Sequence, residues 1–188
     1  MRSFIAVDLD MKTRDEIEKL QNHLIKKYHF NSRFKPIKKD NLHLTIKFLG
    51  DVNDLFIKKL IDGLSTIRFS PFKITFNGVG VFPNPLRSRI IWLGLDGQSS
   101  KQLNDIYTNV NDVLENIDSK YAGSTGNCER FVPHLTIFRI NGHSNLSHIS
   151  FSTGNFIFED YICRVSLKKS TLMRDGPIYS DIFYVDAY

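Results

Sequence analysis

The chain has 188 residues, 41% of them hydrophobic, enough to bury one compact core without calling for a second domain. Its formal charge of +5 suits an anionic partner, because an excess of Lys and Arg raises the local concentration of phosphate-bearing ligands. No apolar run approaches the ~20 residues of a membrane-spanning helix, no secretory signal is visible, and Cys128 and Cys163 lack the close pairing of a zinc site. The cytosol is therefore the expected compartment, with both cysteines as unbonded packing residues.

In chain order, Ser3 to Leu9 reads as a strand, followed by a helix whose apolar residues Ile17, Leu20, Leu24, Ile25 and Tyr28 recur at helical spacing. Thr13 and Glu16 have the spacing of a capping box at its start. A basic, turn-forming stretch from Asn31 to Asn41 leads into the alternating strand His43-Leu44-Thr45-Ile46-Lys47-Phe48-Leu49, closed by Gly50-Asp51. A helix over about 53–67 and an extended run, Phe72 to Phe76, complete the first half.

The second half repeats that order. Arg89 to Leu95 is a strand, a helix runs from about Ser99 to Ile117, and a polar loop spans Ser119 to Glu129. The chain then reads His134-Leu135-Thr136-Ile137, the same tetrapeptide, continuing as Phe138-Arg139-Ile140. Strands over 161–167 and 178–185 follow, the last entered through Asp175-Gly176-Pro177. A β-α-β-α-β unit used twice predicts an α+β fold: one bilobal domain over 1–188, with mainly antiparallel sheets flanking a central cleft. The HLTI strands at 43–46 and 134–137 would face each other across it.

Side chains alternate along a strand, so His43, Thr45 and Lys47 share one face while Leu44, Ile46 and Phe48 turn to the core. The same holds for His134 and Thr136 against Leu135 and Ile137. Packing does not demand the same His and Thr twice. Two imidazoles with ordinary pKa values near 6.5 can serve as one acid and one base, each worth ~10²–10⁴-fold in rate. Threonine hydroxyls can hold the non-bridging oxygens of a phosphate between them. Opening a strained 2′,3′-cyclic phosphate needs nothing more, and the sequence has no HExxH or clustered-carboxylate spacing for a metal. No metal or cofactor is expected.

The segments Asn41 to Gly50 and Phe131 to Arg139 resemble the paired HxTx signatures of the two-histidine (2H) phosphoesterases. The likeness is closest to the bacterial and archaeal RNA 2′,3′-cyclic phosphodiesterases, formerly labelled 2′-5′ RNA ligases. It extends over Met1 to Asp8, Gly78 to Pro83 and the ending with Ser170, Leu172, Gly176-Pro177 and Tyr179. The resemblance implies that His43 donates a proton to the leaving oxygen, that His134 activates water and that the product carries a 2′-phosphate. The symmetric strands alone do not assign those two roles. It also implies a phosphate contact from Arg139, which simple alternation puts on the face opposite His134, so the strand must bend or end there.

Many relatives carry a basic residue where Val132 stands, and Arg130 is the nearby substitute. Lys47, Lys35, Lys38, Lys39, Arg87 and Arg89 are candidates to line the groove. The expected partner is RNA ending in a 2′,3′-cyclic phosphate, with the protein a monomer and no membrane involved. Two other readings stay open: the same chemistry on 2′-5′ linked or other nucleotides, with weak 2′-5′ ligation, and an RNA-binding module without turnover.

Overall fold

The computed structural model describes residues 1–122, 131–151, 158–174 and 176–188. In order they form β1 (Arg2–Asp8), α1 (Met11–Tyr28), β2 (Phe34–Pro36), β3 (His43–Asp51), α2 (Asp54–Leu64) and β4 (Phe72–Phe82). There follow β5 (Ser88–Leu95), α3 (Gly97–Ile117), β6 (Leu135–Ser144), β7 (Phe158–Ile162), β8 (Arg164–Met173) and β9 (Gly176–Asp186). The strands make two sheets, ordered β3-β1-β8-β9 and β2-β6-β5-β4-β7, and every neighbouring pair is antiparallel. The α+β class with two antiparallel sheets is as expected.

Each α-helix begins at an acidic or amide side chain that accepts a hydrogen bond from a backbone N–H of the first turn. Asp10 does so for α1, Asn53 for α2 and Asp96 for α3. The expected capping box at Thr13 is therefore displaced by Asp10. Thr13 is buried instead, and its hydroxyl donates to the Glu159 carbonyl at 3.2 Å. The apolar face of α1 buries Ile17, Leu20 and Leu24, as their spacing predicts, and joins Ile5, Val7, Leu44, Leu60, Val110 and Ile137 in a single hydrophobic cluster.

The two halves of the chain differ from the two lobes in a systematic way. After the first HLTI strand the chain crosses, so that β4 pairs with β5; after the second it crosses back, so that β8 pairs with β1. Each lobe thus contains two strands from the other half, β8 and β9 in one and β2 and β4 in the other, and the lobes cannot part without breaking backbone ladders. The expected strand over 161–167 is two strands, β7 and β8, which divide at Cys163 and join different sheets. Cys163 is exposed there rather than packed, and Cys128 lies outside the described residues. The stretch 31–41, expected as a turn, contains the short edge strand β2, where Pro36 is tolerated, and a 3₁₀ turn over Lys39–Asn41.

Candidate active site

His43 opens β3 and His134 directly precedes β6, and both line one cavity of about 540 Å³ together with Thr45 and Thr136. The two histidines are held alike. The Nδ1 of His43 lies 2.7 Å from the Asn41 carbonyl oxygen, and the Nδ1 of His134 lies 2.7 Å from that of Val132. A carbonyl oxygen only accepts, so each Nδ1 carries a proton and each Nε2 is left to exchange one with a substrate. The His43 Nε2 is 3.1 Å from the Thr45 hydroxyl.

Aromatic rings back both imidazoles. Phe4 and Tyr179 pack against His43, with centroids at 5.0 and 5.2 Å. Phe82 and Trp92 pack against His134, at 5.0 and 6.0 Å. These walls desolvate the rings and so favour their neutral forms. Burial pushes His43 down from 6.5 to about 4; Lys168 and Arg139 add to the fall, while the Asn41 carbonyl and Asp8 oppose it. Burial also lowers His134, against the effect of the Val132 carbonyl.

Behind His43, its cross-strand partner Asp8 accepts from Ser166 Oγ at 2.9 Å and pairs with Lys168 at 3.0 Å and Arg14 at 3.5 Å. Lys168 is shared with Asp181 at 2.5 Å.

A pair of β-bulges accounts for which side chains reach the cleft beyond the threonines. In β6 the ladder to β5 runs Trp92 to Thr136 and then Ile91 to Phe138, so Ile137 has no partner. One extra residue reverses the parity of every side chain after it. Phe138 turns into the core, fully buried, and Arg139 comes to the cleft face. The bend that the resemblance required is this bulge. Its carbonyl is held by the buried Gln21 of α1, whose Nε2 donates at 2.8 Å, and by the backbone N–H of Ile37 at 3.0 Å.

In β3 the same thing happens at the same place: Thr45 pairs with Ala6 and Lys47 with Ile5, leaving Ile46 as the extra residue. The expected alternation therefore fails past Ile46. Lys47 turns away from the cleft, donating to the Ala122 carbonyl at 3.1 Å and lying 5.3 Å from the Tyr107 ring centre. Phe48, expected in the core, is 72% exposed and lines the cavity. The twin bulges put Arg139 on one wall and Phe48 at the equivalent place on the other.

The chain matches the model of the LigT-like phosphoesterases over residues 7–92. It is 32% identical to the RNA 2′,3′-cyclic phosphodiesterase of Methanothermobacter thermautotrophicus, covering 97% of this chain and 96% of that one. The chain belongs to the LigT-like phosphoesterase family. It is accordingly an enzyme, a hydrolase acting on phosphate esters. A second relative, the RNA 2′,3′-cyclic phosphodiesterase of Archaeoglobus fulgidus, is 31% identical over 97% of this chain and 98% of its own. The crystal structure of Escherichia coli LigT complexed with 3′-AMP superimposes with a TM-score of 0.77 at 27% identity, over 99% of this chain and 97% of that one.

Of the residues singled out from the sequence, this phosphoesterase brings His43, Thr45, His134, Thr136 and Arg139 to one cavity. It does not bring Lys47 there, for the reason just given. Lys35, Lys38, Lys39, Arg87 and Arg89 are also absent from the lining; Lys39 instead pairs with Asp15. Arg130 lies outside the described residues, and Val132 contributes its carbonyl to His134. Sequence reasoning missed Arg2, Asn41, Phe48 and Tyr179 as lining residues. Arg2 and Tyr179 fell within the segments that carry the resemblance, but nothing in their own spacing pointed to the cleft. Burial pushes the Tyr179 phenol up, while the charges of Arg139 and Arg2 draw it down.

Proposed function

We propose that this phosphoesterase hydrolyses the terminal 2′,3′-cyclic phosphate of RNA to a 2′-phosphomonoester by acid–base catalysis with two histidines. The observation that carries the reading is the matched tethering of His43 and His134, each with Nδ1 on a backbone carbonyl and both lining one cavity with two threonines and an arginine. The relatives named RNA 2′,3′-cyclic phosphodiesterase supply the substrate class. In this reading the Thr45 and Thr136 hydroxyls and the Arg139 guanidinium hold the non-bridging oxygens and stabilise the charge that builds on them.

His134, neutral through burial, takes a proton from water as the water oxygen bonds to phosphorus. The bond from phosphorus to the ribose 3′ oxygen breaks, and His43 protonates that oxygen, leaving a 2′-phosphate and a free 3′-hydroxyl. Family resemblance supports this division of roles. So does Phe48, because an exposed aromatic on the His43 wall offers a nucleoside an apolar surface on the side of the departing ribose oxygen. The test offers an oligonucleotide ending in a 2′,3′-cyclic phosphate to the protein in EDTA. Turnover that falls about 10²-fold or more in both His43→Ala and His134→Ala is expected. Absence of turnover, or turnover indifferent to either substitution, would refute the proposal.

A further inference from the structure

Beyond His43, Thr45, His134 and Thr136 the cavity continues along β1 toward its first residue, and the chemistry of its wall changes on the way. Along β1, Asp8 lies opposite His43, Ala6 opposite Thr45 and Phe4 opposite Phe48, and Phe4 lines the cleft. Arg2 lies two residues before Phe4, which returns it to the same face. From the level of Thr45 to the level of Arg2 is four residues of β1, roughly 13 Å at ~3.3 Å per residue. An extended arginine side chain spans about half of that. The wall between is apolar, formed by Phe4, Phe48 and Leu172, and the last two are 72% and 68% exposed. A proposed phosphate site, an apolar platform and then a cation thus follow one another along β1.

The Arg2 guanidinium is available for such a role. It is exposed, it lines the cavity, and among the described residues it makes no ion pair within 4 Å. Its cross-strand neighbour is Asp51, which stays outside ion-pair distance of it. An unpaired arginine beside an exposed apolar surface, in a cleft with one proposed phosphate site, suits a second anion. We propose that Arg2 binds the 3′-5′ phosphodiester one nucleotide upstream of the cyclic phosphate, with the terminal nucleoside lying on Phe48 and Leu172 between the two anion sites. The inference rests on the proposed function and narrows its substrate class: the cleft selects the end of an RNA chain over a free cyclic mononucleotide.

The experiment compares two substrates, a nucleoside 2′,3′-cyclic phosphate without a 5′-phosphate and the same nucleoside carrying one further nucleotide through a 3′-5′ linkage. Wild-type protein is expected to favour the dinucleotide in kcat/KM, mainly through KM. Arg2→Ala should shrink that preference about tenfold, and Arg2→Lys should keep part of it, as a point charge without the bidentate fork. Raising salt from roughly 50 to 200 mM should erode the wild-type preference and leave the ratio in Arg2→Ala nearly flat. No preference in wild type, or equal losses on both substrates in Arg2→Ala, overturns the proposal. If wild type turns over neither substrate, the proposed function fails. Calorimetric binding of a 5′-phosphorylated against an unphosphorylated nucleoside 2′-phosphate then still decides the role of Arg2. A gain from the 5′-phosphate that disappears in Arg2→Ala supports it, and equal affinities in wild type overturn it.

Discussion

Changing pH probes the tension between a buried imidazole and the proton-donating role proposed for it. Burial moves His43 from 6.5 to about 4, which at ~1.36 kcal/mol per unit disfavours its charged form by roughly 3 kcal/mol. A phosphate monoanion ~4 Å away, at an effective dielectric constant of ~20, returns about 4 kcal/mol. The substrate thus cancels the burial penalty, and His43 gains its proton as the anion arrives. The pH profile of kcat/KM reports the free enzyme and that of kcat the complex. The first should be bell-shaped with limbs near 4 and below 6.5, since burial lowers His134 as well. The second should be displaced upward by about three units. Initial rates across pH 4 to 9, paired with an NMR titration of both imidazoles with and without inorganic phosphate, make the comparison. Coincident optima for the two profiles, or a kcat/KM plateau extending above 6.5, would refute the reasoning.

Other consequences can be checked independently. Because His43 is neutral in the folded protein down to about 4 while the unfolded chain takes up the proton near 6.5, its contribution to stability is complete above 6.5. It should be lost as pH falls toward 4, by up to roughly 3 kcal/mol, and denaturant melts of His43→Asn should lack this part of the slope. Arg139→Ala should lower kcat/KM by roughly 10- to 150-fold, the worth of a hydrogen bond to a charged group, and Arg139→Lys should recover only part; an unchanged rate would remove Arg139 from the phosphate. Gln21→Leu takes away the side-chain donor to the Ile137 bulge and should cost about 1–3 kcal/mol in a thermal or denaturant melt. It should also lower turnover by loosening Arg139, so a melt and a rate both matching wild type would count against the bulge as a built feature.

What could be read in the sequence was whatever a local pattern encodes. The HLTI repeat exposed both histidines and both threonines, because alternation within a strand and identity between two strands are properties of the residues themselves. The helices were legible for the same reason, with Ile17, Leu20 and Leu24 marking the buried face of α1. The bulges were not, because an extra residue in a strand is defined against its partner, and nothing within Ile46 or Ile137 announces it. Lys47 and Phe48 therefore exchanged places between groove and core, while Arg139 was rescued only by resemblance. The exchange of β2, β4, β8 and β9 between lobes was hidden in the same way, since a strand of alternating residues does not name the edge that it will join.

The central claim is that both imidazoles serve a single phosphorus, and a crystal structure with a uridine–vanadate complex, which mimics the five-coordinate transition state, tests it most directly. The Nε2 atoms of His43 and His134 should lie within hydrogen-bond distance of opposite apical oxygens, with the Thr45 and Thr136 hydroxyls and Arg139 on the equatorial ones. Vanadium bound elsewhere, or reached by only one of the two rings, would contradict the account.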